Sequence, residues 1–132
     1  MELGFCFDTT FLIDLQKERG VGPAHAFLGA HRPATFFCSA IVLGEFAEGF
    51  SSAADPRLVQ YLRKATILDV NNETARIYGR ITRRLRQAGK LISSNDLWIA
   101  SHALQHRLTL VTADTMHFEL VPNLRLVCWV IE

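Results

Sequence analysis

Short apolar runs alternate with segments of helical period along the chain, and this alternation constrains the fold more than any other feature of the sequence. We interpret each short apolar run as a buried strand and each amphipathic segment as a helix. Strands that alternate with helices predict a parallel sheet covered on both faces. The expected fold is therefore a single α/β domain over residues 1–132, with a short, mostly parallel sheet of about four to five strands flanked by helices on both faces.

The boundaries of these elements follow from apolar periodicity and from capping residues, prolines and glycines. Pro33 is the predicted break after the second helix, and Ser39 is the predicted N-cap of the third. The predicted strands lie at residues 3–7, 35–38, 66–68, 108–112 and 124–130. The predicted helices lie at residues 9–19, 23–31, 40–50, 56–64, 72–89 and 96–106, with a single helical turn at 114–119.

Composition and charge limit the classes of protein that this chain can belong to. Its 132 residues are 49% hydrophobic and 20% charged, which is typical of a folded domain rather than a disordered segment. The formal net charge is +1, so any contact with nucleic acid must come from a local patch.

The cysteines and the apolar segments indicate the cellular compartment. The chain has three cysteines, which are widely spaced and set in apolar runs: Cys6, Cys38 and Cys128. An odd number in this setting predicts buried free thiols in a reducing compartment. We see neither a signal-peptide core nor a run of the roughly 20 apolar residues that a membrane span needs. We therefore expect a cytoplasmic protein that does not contact the membrane.

Two acidic residues lie where an α/β sheet places function, beyond the carboxyl ends of its strands, and two more lie on predicted helices. Asp8 follows the first predicted strand directly, and Asp114 lies two residues after the fourth. Asp96 falls in the first turn of a predicted helix. Glu45 falls about 60° from Val42 on a helical wheel, at the edge of the apolar face.

Each acid also has an ordinary structural explanation. Asp8 is placed to cap the helix that begins at Thr9, and Asp114 is a residue type common in turns and caps. The helix dipole favours Asp96 in a first turn. Glu45 could be an unpaired, solvated helix residue. Spacing alone does not decide between these explanations and a shared acidic site.

Five segments, in this order, carry a resemblance to a known family: residues 7–10 (FDTT), 39–49 (SAIVLGEFAEG), 95–104 (NDLWIASHAL), 110–118 (LVTADTMHF) and 121–124 (VPNL). Together they resemble the PIN-domain family, and in particular its VapC-like toxin branch. Thr10 stands where Ser or Asn is frequent in that family, and Phe46 where Leu is frequent. Neither departure removes a carboxylate.

The resemblance implies an endoribonuclease that depends on Mg²⁺ or Mn²⁺, and these cations suit an all-oxygen acidic pocket. Asp8 and Asp96 would be the principal metal ligands. Glu45 and Asp114 would complete the metal site or hold a second ion, and one of them would orient the attacking water. The residues expected to orient these carboxylates through hydroxyl and amide groups are Thr9, Asn95 and Thr112.

A basic face on the longest predicted helix is a candidate RNA-binding surface. Four cationic residues, Arg76, Arg80, Arg83 and, if the helix continues, Lys90, lie opposite its apolar face. They could form a track for RNA phosphates beside the acidic pocket, which itself repels the RNA backbone. The alternative is a solvated face without any function.

Two other functions and a zinc site remain as alternatives. An aspartyl-nucleophile phosphatase would use Asp8, but Thr10 replaces the second acid of its Asp-x-Asp pair. A non-catalytic binding domain could use the same fold. His102 and His106 have the spacing of two zinc ligands, but no third ligand follows, and we expect both on a polar helix side.

The resemblance also implies protein partners, namely a homodimer and a small antitoxin that binds near the acidic pocket. The early helices carry more aromatic side chains than a small core plainly needs. Some of these could line a partner groove, although packing in the core is the simpler explanation for any one of them. The aromatic residues are Phe11, Phe27, Phe46 and Phe50.

Overall fold

The structure, a computed structural model, describes residues 4–32 and 34–130. Leu3 and Pro33, which entered the predicted boundaries, lie outside the described residues. The described strands are β1 (Gly4–Phe7), β2 (Thr35–Ser39), β3 (Thr66–Leu68), β4 (Thr109–Val111) and β5 (Arg125–Val127). The described helices are α1 (Thr9–Glu18), α2 (Pro23–Ala30), α3 (Ala40–Ala47), α4 (Pro56–Leu62), α5 (Asn72–Gln87), α6 (Ser94–Gln105) and α7 (Thr115–Phe118).

The strands form one sheet in the order β3-β2-β1-β4-β5, and every pairing between neighbours is parallel. Phe5, Cys6 and Phe7 of β1 are all buried, although successive side chains of a strand point to opposite faces. Both faces of the sheet are therefore covered, and the predicted α/β fold is confirmed.

The central strand lies where the direction of the chain connections reverses. From β1 the chain passes to β2 and β3 on one side, and later to β4 and β5 on the other. Phe7 pairs with Cys38 of β2 and with Val111 of β4. The residues that follow these positions therefore emerge together at the carboxyl edge, which is where open α/β sheets bind ligands.

Helix α5 ends before the predicted boundary because glycine reverses the backbone after it. Gly89 adopts a φ of 70°, in the left-handed region that glycine tolerates best. The amide of Lys90 donates to the carbonyl of Leu85, and that of Gly89 donates to the carbonyl of Arg86. These two bonds form a Schellman motif. Lys90 therefore lies outside the helix, and the prediction that it shares the basic helical face is wrong.

The cysteine prediction is correct for two of three residues. Cys6 and Cys38 are buried and free, and burial raises the pKa of both thiols, so neither is a reactive thiolate at neutral pH. Cys128 is also free, but it is exposed just after β5. Its neighbour Trp129 is the residue that enters the core, and alternation along the chain turns Cys128 outward.

Most of the early aromatic side chains belong to the core. Phe11, Phe27 and Phe46 are buried, and Phe50 packs partly buried beside Phe46. Phe27 also lines an apolar cavity of about 450 Å³ between α2 and the segment after β5.

Across the described ranges, no helix is long and apolar enough to span a membrane.

His102 lies inside the protein, so its expected place on a polar side of α6 is wrong. Helix α6 packs against α5, α3, β2 and β4, which leaves little of its circumference in water. One nitrogen of His102, Nδ1, lies 2.8 Å from Ser39 Oγ, and Nε2 lies 3.1 Å from the carbonyl oxygen of Asp69. Both nitrogens are thus occupied, which is incompatible with the zinc site considered for His102 and His106.

The hydrogen bonds define the protonation of this histidine. The Asp69 carbonyl only accepts, so Nε2 carries the hydrogen and Nδ1 accepts from the Ser39 hydroxyl. Ser39 Oγ in turn accepts from the amide of Ile41, at the start of α3. Burial lowers the pKa of His102, which agrees with a neutral ring. His102 therefore joins α6 to the N-cap of α3.

Replacing this ring should destabilise the protein. We expect His102→Leu to lower the free energy of unfolding by about 1–3 kcal/mol, because the buried Ser39 hydroxyl loses its acceptor. Urea unfolding measures the change. His106→Leu is the matched control. His106 is the exposed C-cap residue of α6, so its replacement should change stability by less than about 0.5 kcal/mol. Equal effects of the two substitutions would contradict the buried role of His102.

Candidate metal centre

Asp8 is held at the carboxyl end of β1 by hydroxyl groups. Its amide donates to the carbonyl of Val111 at 2.9 Å, which continues the register between β1 and β4. Its Oδ2 atom accepts hydrogen bonds from Thr112 Oγ1 at 2.7 Å and from Thr10 Oγ1 at 3.1 Å. Asp8 is only 5% exposed, and its side chain makes no capping bond to α1. The capping explanation therefore does not account for its carboxylate.

Glu45 is fixed by donors from two other helices. Thr9 Oγ1, in α1, donates to Glu45 Oε1 at 2.7 Å. Asn95 Nδ2, in α6, donates to Glu45 Oε2 at 3.2 Å. Each carboxylate oxygen thus has one hydrogen-bond donor, and the side chain is half-buried. The alternative of an unpaired, solvated glutamate is wrong.

Asp96 lies in the first turn of α6, as the sequence indicates. Ser93 is the N-cap, and its Oγ accepts from the amide of Asp96 at 3.2 Å. The position therefore satisfies the ordinary helix-dipole explanation. The Asp96 side chain is also half-buried and lies close enough to the other acids to be affected by their charges.

Asp114 lies beyond β4, at the start of the one-turn helix α7. Its amide donates to Thr112 Oγ1 at 3.0 Å, so one threonine contacts both Asp8 and Asp114. Asp114 makes no side-chain capping bond, and its Oδ2 atom lies 2.9 Å from His117 Nδ1. Asp96, Asp114 and His117 each offer one ligand atom, and these three atoms lie within 4.8 Å of one another.

The electrostatics of the acids indicate a site built for a cation. Burial raises the pKa of Asp8 despite its hydroxyl donors, and the charge of Glu45 adds to this effect. Burial also raises the pKa of Asp96, and the charges of Asp8, Asp114 and Glu45 raise it further. Carboxylates that repel one another in this way are stabilised by protonation or by a bound cation. Their oxygen atoms fit the ligand preference of Mg²⁺ or Mn²⁺.

The residues predicted to orient the carboxylates all contact them. Thr9 and Asn95 donate to Glu45, and Thr112 donates to Asp8. The sequence interpretation missed Thr10 and His117. The positions of these two residues, two after Asp8 and three after Asp114, were the only signals, and such spacings are common without any site.

The alignment of α5 with α6 shows which basic residues of α5 lie at the level of Asp96. Helices α5 and α6 are antiparallel, because Thr74 at the start of α5 donates to Gln105 at the end of α6. The Tyr78 ring stacks on Trp98 with ring centroids 3.9 Å apart, which extends the same alignment. Farther along the same antiparallel pair, Arg83 of α5 lies level with the first turn of α6, which contains Asp96.

The remaining arginines of the predicted track are exposed but lie farther along α5. Arg76 is about 10 Å farther from that level than Arg83, at a rise of about 1.5 Å per residue. Arg80 lies between them. Among the described residues, none of these three arginines takes part in an ion pair.

Comparison with known proteins agrees with this geometry. The family model described as PIN domain matches residues 5–124. Ribonuclease VapC2 of Haemophilus influenzae is 32% identical over 134 residues, which cover 97% of this chain and 99% of that protein. Ribonuclease VapC2 of Rickettsia felis is 36% identical over 100 residues, which cover 72% of this chain and 75% of that protein.

A solved structure extends the similarity to three dimensions. It is the crystal structure of VapBC2 from Rickettsia felis, bound to a DNA fragment from the promoter. The TM-score is 0.83 at 28% sequence identity, and the match covers 97% of this chain and 100% of that chain. Since the family model spans most of the described residues and a relative matches nearly the whole length, the chain belongs to the PIN-domain family, among its VapC-like members.

Proposed function

We propose that this chain is a metal-dependent endoribonuclease and the toxin of a toxin–antitoxin pair. One observation carries the proposal: four carboxylates meet at the carboxyl edge of β1 and β4, and their mutual repulsion raises the pKa of Asp96 in addition to the effect of burial. The relatives named as ribonucleases support RNA as the substrate.

Asp8 and Asp96 would be the principal ligands of Mg²⁺ or Mn²⁺, and Glu45 and Asp114 would complete the site. When bound, the cation supplies positive charge against the scissile phosphate. The hydrogen bonds from Thr112 and Thr10 hold Asp8 in one orientation, so that its second oxygen remains available.

Glu45 is the carboxylate best placed to orient the attacking water. Thr9 in α1 and Asn95 in α6 each donate to one of its two oxygens, which restricts its rotation. A water that attacks phosphorus replaces the attack by the substrate 2′-hydroxyl. The products should therefore carry a 5′-phosphate and a free 3′-hydroxyl.

RNA cleavage by the purified chain tests this proposal. Labelled RNA should be cut with Mg²⁺ or Mn²⁺ and not with chelator, and Asp96→Asn should abolish detectable cleavage. Glu48→Gln is the matched control, because Glu48 is an exposed acid at the end of α3. Cleavage by Asp96→Asn at the wild-type rate would contradict the proposal, as would 2′,3′-cyclic phosphate ends. A folded protein that binds RNA without cutting it would favour the non-catalytic binding domain.

The metal-free protein should lose stability as pH rises. Asp8 and Asp96 have raised pKa values in the folded state, so the folded protein binds more protons than the unfolded chain just above the ordinary range of aspartate. The free energy of unfolding therefore falls as pH increases through that window. Asp96→Asn should raise the Tm of the metal-free protein at neutral pH and weaken this pH dependence.

Thermal unfolding with chelator measures this effect, with Glu48→Gln as the control that changes an exposed acid. Mn²⁺ at a hundred times its Kd should stabilise the wild type by about 2.7 kcal/mol. The same concentration should stabilise Asp96→Asn much less. An Asp96→Asn protein that is less stable than the wild type without metal would show that the acids do not repel one another.

Arg83 lies at the level of Asp96 along the antiparallel pair of α5 and α6, and this position makes RNA binding by α5 testable. In an inactive Asp96→Asn background, Arg83→Gln should weaken RNA binding and reduce the salt-dependence slope by about 0.7 for one lost phosphate contact. Arg76→Gln, farther along the same helix, is the control and should leave the slope unchanged. If Arg83→Gln also left the slope unchanged, the basic face would be only solvated. Arg80, between these two arginines, and Lys90, beyond the end of α5, remain candidate contacts.

We further propose that an antitoxin protein binds this chain and that the chain forms a homodimer. The similarity to a solved VapBC2 complex supports the first proposal. The free thiols of Cys6, Cys38 and Cys128 support a reducing cytoplasmic location.

A further inference from the structure

We propose that His117 is a metal ligand, and that it gives the pocket a preference for first-row transition-metal dications such as Mn²⁺ over Mg²⁺. The inference rests on the proposed function, since it concerns the same acidic site. It adds a nitrogen ligand, on the single turn of α7, to the four carboxylates.

The acidic pocket has an inner half whose carboxylates are already held by donors. Asp8 accepts from two threonine hydroxyls, and Glu45 accepts one donor on each oxygen. These contacts come from α1, from Thr112 directly after β4 and from α6, and they fix the two side chains beside the sheet. The inner half therefore consists of oriented oxygen ligands.

The outer half has a different composition. Asp96, Asp114 and His117 place one potential ligand atom each within 4.8 Å of the other two. Ligands that share one small dication at about 2.0–2.2 Å lie roughly 3–4.5 Å apart, so this spacing needs little adjustment. Asp96 responds to the charges of Asp8 and Glu45 as well as Asp114, so it belongs to both halves.

A surface ion pair is the alternative role for His117. Its side chain is 61% exposed, and its Nδ1 lies 2.9 Å from Asp114 Oδ2. Such an exposed pair contributes at most about 1 kcal/mol to stability. The pair of Asp114 and His117 lies at the mouth of a pocket that already carries excess negative charge, so both side chains can face the same cation. The short turn of α7 keeps both residues at the pocket.

A nitrogen ligand changes which cation the site prefers. Mg²⁺ takes oxygen ligands almost exclusively, whereas transition-metal dications also accept imidazole. Two carboxylates and one imidazole therefore favour a transition-metal ion, while an all-carboxylate site does not discriminate in this way. His117 is thus a determinant of metal preference in addition to the carboxylates.

Electron spin-echo envelope modulation of Mn²⁺ bound to the full chain tests the assignment without any activity assay. Wild type should show ¹⁴N modulation typical of a coordinated imidazole, and His117→Ala should lose it. His106→Ala removes an exposed histidine of the same chain outside the pocket and should keep the signal. Mn²⁺ bound without ¹⁴N modulation in the wild type would overturn the proposal.

Metal titrations provide a second readout and separate the two proposals. His117→Ala should weaken Mn²⁺ binding by about 10-fold or more and leave Mg²⁺ binding nearly unchanged. An unchanged ratio of Mn²⁺ to Mg²⁺ affinity would overturn the role of His117. If Mn²⁺ binds the wild type and not Asp96→Asn, the proposal of an acidic metal site is supported, independently of the result for His117. If Mn²⁺ does not bind the wild type at all, both proposals fail.

Discussion

The acidic site depends on one carboxylate that is buried at the end of the central strand. β1 is covered on both faces, and its register with β4 brings Asp8 beside Thr112. Burying an ionised carboxylate is unfavourable unless donors or a cation compensate its charge. The two threonine hydroxyls compensate only part of this cost, because the pKa of Asp8 remains raised. A cation is the remaining means of stabilising the ionised form.

The surrounding elements bring further carboxylates close to Asp8, which adds to the unfavourable free energy of its burial instead of offsetting it. Helices α3 and α6 carry Glu45 and Asp96, and the turn after β4 carries Asp114. The threonine and asparagine donors fix the orientation of these groups, and His102 joins α6 to the N-cap of α3. The protein thus maintains an unfavourable concentration of negative charge in a rigid frame, which is the property that a divalent cation requires of its site.

Alternation of apolar runs with helical segments was sufficient to predict the α/β fold and nearly every element, because both periods are local. The positions of Asp8 and Asp114 after strands placed them at the carboxyl edge. Helix positions made Asp96 and Glu45 candidates as well, and the family resemblance implied that all four acids share one site. Which donor contacts which carboxylate could not be predicted, because these hydrogen bonds join segments that are distant in the sequence, such as Thr9 and Glu45. His102 was misplaced because its helix is covered on most sides, and Lys90 because Gly89 ends α5.

Anomalous diffraction from a crystal soaked in Mn²⁺ would locate the cation without assuming any activity. We expect a peak among the carboxylates of Asp8, Asp96 and Asp114, at the carboxyl edge of β1 and β4. An Asp96→Asn crystal, soaked in the same way, should lose this peak. A Mn²⁺ peak elsewhere on the chain, with none among these carboxylates, would show that the acids are not a metal site.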